Sequence, residues 1–172
     1  MHMADALLSP AVGGAFWAGT AATIGYASKK LKEGLDDRKI PLMGVLGAFI
    51  FASQMINFTI PGTGSSGHLG GGLLLSILLG PHAAFLTIAS VLVVQAFFFA
   101  DGGLLALGTN IFNLGVFPCF VGLPLFRALA GKDPSPGRAS AATVAAAVAG
   151  LELGAMGVVA QTLLSGRSEL TP

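Results

Sequence analysis

Charge is scarce in this chain, and its placement says more than its amount. No Asp, Glu, Lys or Arg occurs from Ile40 to Ala100, and none from Gly102 to Phe126. Runs of that length exceed the roughly 20 apolar residues that span a bilayer, so the first must cross more than once. Charged residues make up 10% of the sequence, hydrophobic ones 53%, and mean hydropathy is +0.80, which excludes a soluble fold. A net charge of +1 leaves no basic surface for nucleic acid. Cysteine is nearly absent too. A lone Cys119 rules out an internal disulfide framework and a cysteine-rich metal site, and reads as a small packed residue. No Ser/His/Asp set, paired carboxylates or redox cysteine pair can be assembled, so the chain is not expected to be an enzyme. The opening lacks basic residues, the first being Lys29 and Lys30 behind an apolar segment, which argues against a cleavable signal peptide.

What is present is a series of apolar segments: about Pro10–Ser28, Leu42–Asn57, Leu69–Gly80, His82–Ala100, Leu104–Leu129 and Ala139–Leu164. They predict an all-α, polytopic membrane helix bundle of about six segments, forming a single transmembrane domain over residues 1–172. Strand periodicity and internal repeats are lacking. Ser9-Pro10 reads as an N-cap followed by proline at the first helical position. Gly80-Pro81 splits one apolar stretch in two. The third segment is short for a full span, so it is tilted, re-entrant or extended by its glycine-rich approach. Pro118 and Pro124 are expected to kink the fifth. Eight of nine cations (Lys29, Lys30, Lys32, Arg38, Lys39, Arg127, Lys132, Arg138) fall at the turns after segments one and five. By the positive-inside rule those turns are cytoplasmic, which puts the N-terminus, His68 and Asp101 together on the external side.

The opening Met1-His2 carries chemistry. The terminal amine, the His2 amide and the His2 imidazole can close a five-membered and a six-membered ring around one ion. His68, in Gly67-His68-Leu69-Gly70-Gly71-Gly72, is the candidate for the remaining position. Four nitrogens in a plane suit Ni(II) or Cu(II) better than tetrahedral zinc. An incidental histidine beside the start is the competing account. The loop Asn57–His68 resembles a phosphate-binding loop only in the spacing of Gly62 and Gly67. Its lysine and Ser/Thr are replaced by His68 and Leu69, so nucleotide binding is rejected. Asn57, Gln95, Asp101, Asn110, Asn113 and Glu152 are polar groups near membrane depth. They should face the bundle interior, tying helices together or, for Asn57, Asp101 and Asn110 as a set, orienting the metal ligands. His82, after the Gly-Pro turn, is on the wrong side and reads as structural. Gly44, Ala48 and Ala52 make a small-residue stripe on the second segment, fitted either to a partner helix or to packing within the bundle.

Met1-His2-x-x-Asp5-x-x-Leu8-Ser9-Pro10, Gln54-Met55-Ile56-Asn57-Phe58, Ser66-Gly67-His68-Leu69, Leu79-Gly80-Pro81, Phe99-Ala100-Asp101-Gly102-Gly103 and Asn110-Ile111-Phe112-Asn113, in that order, strongly resemble the CbiM/NikM family. These are substrate-binding S components of energy-coupling-factor importers for cobalt and nickel. The resemblance implies Met1, His2 and His68 as ligands of Ni2+, or Co2+, which is cargo rather than a cofactor. It implies a cell-membrane protein working with a transmembrane coupling (T) subunit, cytoplasmic ATPase subunits and a small accessory membrane subunit, in a setting that includes cobalamin biosynthesis. It also assigns the Gly44, Ala48, Ala52 stripe to the coupling subunit. Two features depart from the family pattern: Met3-Ala4-Asp5-Ala6 stands where Ile-Pro-Asp-Gly is usual, and six segments stand where seven are. The alternatives are a metal or small-solute channel or carrier without ATPase partners, and a structural membrane subunit.

Overall fold

The computed structural model describes residues 2–34, 39–61 and 65–167. Met1, Arg38 and the loop tip at 62–64 lie outside them. Six helices follow the six apolar segments: α1 Pro10–Glu33, α2 Lys39–Gln54, α3 Gly72–Leu79, α4 Pro81–Phe99, α5 Leu107–Ala130 and α6 Pro136–Leu164. Of these, α4, α5 and α6 are long and apolar enough to cross a membrane, and α2 is a shorter apolar helix. The protein is a polytopic membrane helix bundle. A small hairpin joins α2 to α3, with β1 Phe58–Ile60 antiparallel to β2 Ser65–Gly67 and Phe58 opposite Gly67. Strands of three residues are too short to show a period of two, which is why alternation does not announce them.

Local chemistry sets the helix ends. Ser9 Oγ accepts the Val12 N–H at 3.3 Å and Ser135 Oγ the Arg138 N–H at 3.4 Å, each cap followed by proline in the first turn. Gly80, at φ +84°, makes the break before Pro81. The third segment is half a helix: eight residues rise only about 12 Å, far short of a bilayer core. His68 to Gly71 approach it as non-helical backbone between α2 and α6, which lipid would not tolerate but protein surroundings do. One of the two prolines expected to kink α5, Pro118, lies inside a stretch of altered winding. The middle of α5, Phe112–Gly122, winds as a wide π-helix around Pro118, with the Leu123 N–H returning to the Pro118 carbonyl.

Ile50, Leu75, Phe85, Ile88, Leu92, Leu107, Ile111 and Leu114 form the main apolar core, drawn from α2 to α5. Two buried amide pairs cross it. Asn113 and Gln161 exchange bonds of 2.8 and 2.9 Å between α5 and α6. Gln95 Nε2 on α4 donates to Gln54 Oε1 on α2 at 2.9 Å, and Gln54 Nε2 donates to the Gly70 carbonyl at 2.8 Å. Interhelical hydrogen bonds in a membrane are worth about 0.6 kcal/mol each on average, whereas an unmet buried acceptor costs about 1–3 kcal/mol. The Asn113–Gln161 pair is closed on both sides. The glutamine chain ends on Gln95 Oε1, buried with no hydrogen-bond partner among the described residues.

Helices α1 and α5 meet closely at Gly108. Thr20 Oγ1 donates to the Gly108 carbonyl at 2.7 Å, and a Cβ built on Gly108 would stand 2.8 Å from Trp17 Cα and 2.9 Å from its backbone nitrogen. Backbone cannot yield as a side-chain tip can, so Gly108→Ala should destabilise the bundle by about 1–3 kcal/mol through overpacking. Gly14→Ala, at an exposed α1 position where a new Cβ meets nothing, should be neutral or slightly stabilising. Thermal unfolding of both variants in one detergent checks the contrast, and equal midpoints would contradict it.

Candidate metal centre

The N-terminal segment folds into the bundle. Met3 is fully buried and His2 is 3% exposed. A strand entering such surroundings must have its backbone polar groups met, and Asn110 on α5 meets them. Its Oδ1 accepts the Met3 N–H at 2.9 Å and its Nδ2 lies 3.4 Å from the Met3 carbonyl, which also takes the Gly103 N–H at 3.0 Å. Two residues on, Asp5 Oδ1 accepts the Ala106 N–H at 2.9 Å, a carboxylate at the start of α5 where the helix dipole favours it. Trp17 Nε1 binds the Leu104 carbonyl at 3.0 Å. The 101–106 loop is thereby stitched down over the segment. Gly102, at φ +96°, passes so close that an added Cβ would meet Asn110 Nδ2 at 3.0 Å and His2 Cβ at 3.3 Å.

These ties bring three polar side chains together. The His2 and His68 rings stack with centroids 4.6 Å apart and planes at 27°. His2 Nδ1 faces Asp101 Oδ1 at 3.2 Å, yet neither ring nitrogen makes an aligned hydrogen bond to a described residue. His68 Nδ1 lies 2.8 Å from the Leu69 carbonyl. A carbonyl only accepts, so Nδ1 carries the proton and the lone pair resides on Nε2. Burial pushes the His68 pKa down to about 4, and the His2 imidazole holds the Asp101 carboxyl below its ordinary value. Both groups therefore keep their ligand-type protonation at neutral pH: a neutral imidazole and a carboxylate.

Of the five buried side-chain polar atoms without a hydrogen-bond partner among the described residues, three belong to this cluster, both His2 ring nitrogens and Asp101 Oδ2; the others are Gln95 Oε1 and Thr109 Oγ1. Such groups are rare in folded interiors and collect at functional sites. Side chains alone do not make a cation cage here, since no three His, Cys, Asp or Glu are arranged to hold a metal among the described residues. A site would need main-chain nitrogen.

Of the residues singled out in the sequence, His2, His68, Asp101 and Asn110 come together. Asn57 is exposed and its side chain makes no hydrogen bond among the described residues. Met1 lies outside the description. His82 sits at the start of α4, edge-on to Tyr26 at 5.4 Å and Phe120 at 5.7 Å, in an aromatic cluster beside the cationic end of α1. Gly44, Ala48 and Ala52 face outward on α2. Asp5 and Gln54 take positions that composition and spacing did not assign. The helix start after Gly102-Gly103 could have signalled Asp5, whereas Gln54 depends on a contact 16 residues away.

A model of the family described as cobalt uptake substrate-specific transmembrane region, CbiM, matches residues 2–171. A protein of Haloquadratum walsbyi named for metal transport is 46% identical over 127 residues, 74% of this chain and 58% of its own. One of Archaeoglobus fulgidus, named as a fused nickel transport protein NikMN, is 40% identical over 158 residues, 90% of this chain and 52% of its own. The chain thus spans little more than half the length of these relatives. A crystal structure of a truncated transition metal transporter superposes with a TM-score of 0.84 at 31% identity, covering 94% of this chain and 74% of that one.

The depressed His68 pKa gives a pH prediction. Folded His68 stays neutral down to about pH 4, while the unfolded residue gains its proton near 6.5. Between those values the unfolded state holds more protons, so this contribution to stability is complete above about pH 6.5 and is lost as pH falls toward 4. An NMR titration of labelled histidine in the metal-free protein should place one imidazole near pH 4. A lowest histidine pKa above 6 would contradict the burial argument.

Proposed function

The chain belongs to the CbiM family, and from that premise we propose that it captures a divalent transition-metal ion for import, Ni2+ or alternatively Co2+, on its external face. The observation that carries this is the burial of His2 against His68 and Asp101 at the end of a threaded N-terminal segment. On this reading the terminal amine of Met1, the amide and imidazole of His2 and the His68 imidazole surround the ion. The chelate's six-membered ring closes through His2 Nδ1, the nitrogen that faces Asp101 in the structure. Closing it requires the imidazole to turn over, which brings the Nε2 edge toward the Asp101 carboxylate. That is the carboxylate–histidine–metal arrangement that orients many metal ligands. Asn110 supports the same geometry by fixing the next peptide.

Metal binding then depends on a native N-terminus. An added residue, a tag or acetylation should abolish high-affinity Ni2+ binding, because the amine is a ligand and must shed its proton, with an ordinary pKa of about 7.7–8.0. His2→Ala and His68→Ala should each remove most binding, and His82→Ala should leave it near wild type. Calorimetry on the purified chain checks this. A tagged protein binding as tightly as the native one, or three equal histidine effects, would overturn the chelate.

The energy for import is proposed to come from ATPase subunits through a transmembrane coupling subunit docked on α2. Gly44, Ala48 and Ala52 are all exposed, and a groove of about 550 Å³ runs beside them between α2 and α4, lined by Gly44, Gly47, Ala48, Phe51 and Val91 among others. Small residues permit close helix approach where lipid supplies no hydrophobic drive. Ala48→Trp should leave Ni2+ binding by the isolated chain intact and abolish ATP-driven uptake by the assembled complex. Normal uptake would sink the docking role, and lost metal binding would assign the face to internal packing.

A further inference from the structure

The Gln54–Gln95 chain links the segment after His68 to the start of the Asp101 loop, a placement more specific than helix cross-bracing requires. Gln54 ends α2 and donates to the carbonyl of Gly70, two residues beyond His68. Gln95, through its side chain, holds Gln54, while its own backbone carbonyl accepts the Asp101 N–H at 3.1 Å. One residue therefore reaches the His68 segment by way of its side chain and the Asp101 loop by way of its main chain. Both glutamines are fully buried. Gly71 stands at φ +80°, where a Cβ would also strike Ile50 at 2.7 Å, and the nearest regular structure on the other side is the short hairpin. The chain does not close on itself as Asn113–Gln161 does, since Gln95 Oε1 is left unmet among the described residues. Retaining it for stability alone runs against that cost.

We infer that Gln54 and Gln95 are positioning residues of the metal centre, setting the separation of His68 from the Asp101–His2 pair. This rests on the metal-binding reading above. Neither glutamine touches the ion; each acts through the backbone of a residue beside it. The test uses the full chain with its native N-terminus in lipid nanodiscs, and Ni(II) and Cu(II) ions as probes. Gln54→Met and Gln95→Met keep size and remove the side-chain hydrogen bonds, leaving the bond from Asp101 N–H to the residue-95 carbonyl in place. Each should weaken Ni(II) binding by about 10–100-fold, the effect typical of groups that orient metal ligands. Each should also shift the Cu(II) electron paramagnetic resonance spectrum away from the wild-type planar-nitrogen pattern. Gln161→Met, which opens the other buried amide pair, is the control: it should lower the unfolding midpoint comparably while leaving affinity and spectrum unchanged. Wild-type affinity and spectrum in both glutamine variants would overturn the inference with the metal-binding reading intact. So would a Gln161→Met variant that loses the metal equally. A wild-type chain that binds no Ni(II) would instead overturn the functional reading, and this inference with it.

Discussion

Everything at the His2 end of this bundle depends on one requirement: a peptide strand folded among membrane helices must have its N–H and C=O groups met by protein. Met3 is where that requirement falls. Asn110 is suited to it because an amide side chain offers both a donor and an acceptor, and so mimics a neighbouring strand. Gly103 supplies a further donor from the loop. Once the peptide is fixed in this way, His2 has nowhere to go but against His68 and Asp101. The loop over it must stay close, which explains the bare Cα of Gly102 and the bond from Asp5 to Ala106. The close approach of α1 to α5 at Gly108 follows from the same architecture, with Trp17 packed there while its indole nitrogen holds Leu104.

Much of this was legible in the sequence, for reasons that differ from element to element. Apolar runs, Ser-Pro starts and the Gly80-Pro81 break are local signals, and they locate all six helices. His2, His68, Asp101 and Asn110 were legible because charge alternation assigns the first three to one face and a familiar order of motifs includes all four. The hairpin at Phe58–Gly67 was not, since three-residue strands carry no period. Nor was the π-helical middle of α5. A proline announces a disturbed helix but not the π winding that accompanies it here, where α6 packs along that stretch with the Asn113–Gln161 pair as its tie. Asn57 shows the opposite failure. It has the right residue type in the right motif, but the side chain points outward, which no residue count along an irregular turn can reveal.

The half-helix α3 shows how bundle and centre are linked. A full span would carry His68 on regular backbone, with every N–H and C=O committed to the helix. Starting the helix at Gly72 leaves residues 68 to 71 with main-chain groups to offer: the Leu69 carbonyl fixes the His68 tautomer and the Gly70 carbonyl anchors the segment to α2. Irregular backbone is costly at membrane depth, and it is tolerated here because Leu151 of α6 and Ile50 of α2 press against Gly70 and Gly71. The same helix α2 carries Gln54 at its end and the exposed small-residue face along its length. A displacement of α2 as a rigid body would therefore be felt at the Gly70 carbonyl.

The distribution of unmet polar atoms completes the physical account. Among the described residues five buried side-chain polar atoms lack hydrogen bonds, and they belong to His2, Asp101, Gln95 and Thr109. Three of the five belong to His2 and Asp101, so most of the cost falls beside the two stacked imidazoles. Under the proposed reading, an ion captured there would give the His2 ring a partner. Binding of a cation to the folded state alone shifts the folding equilibrium in its favour. Under the proposed reading, the corner of the bundle least stable by itself is the one that capture of the cargo makes firm.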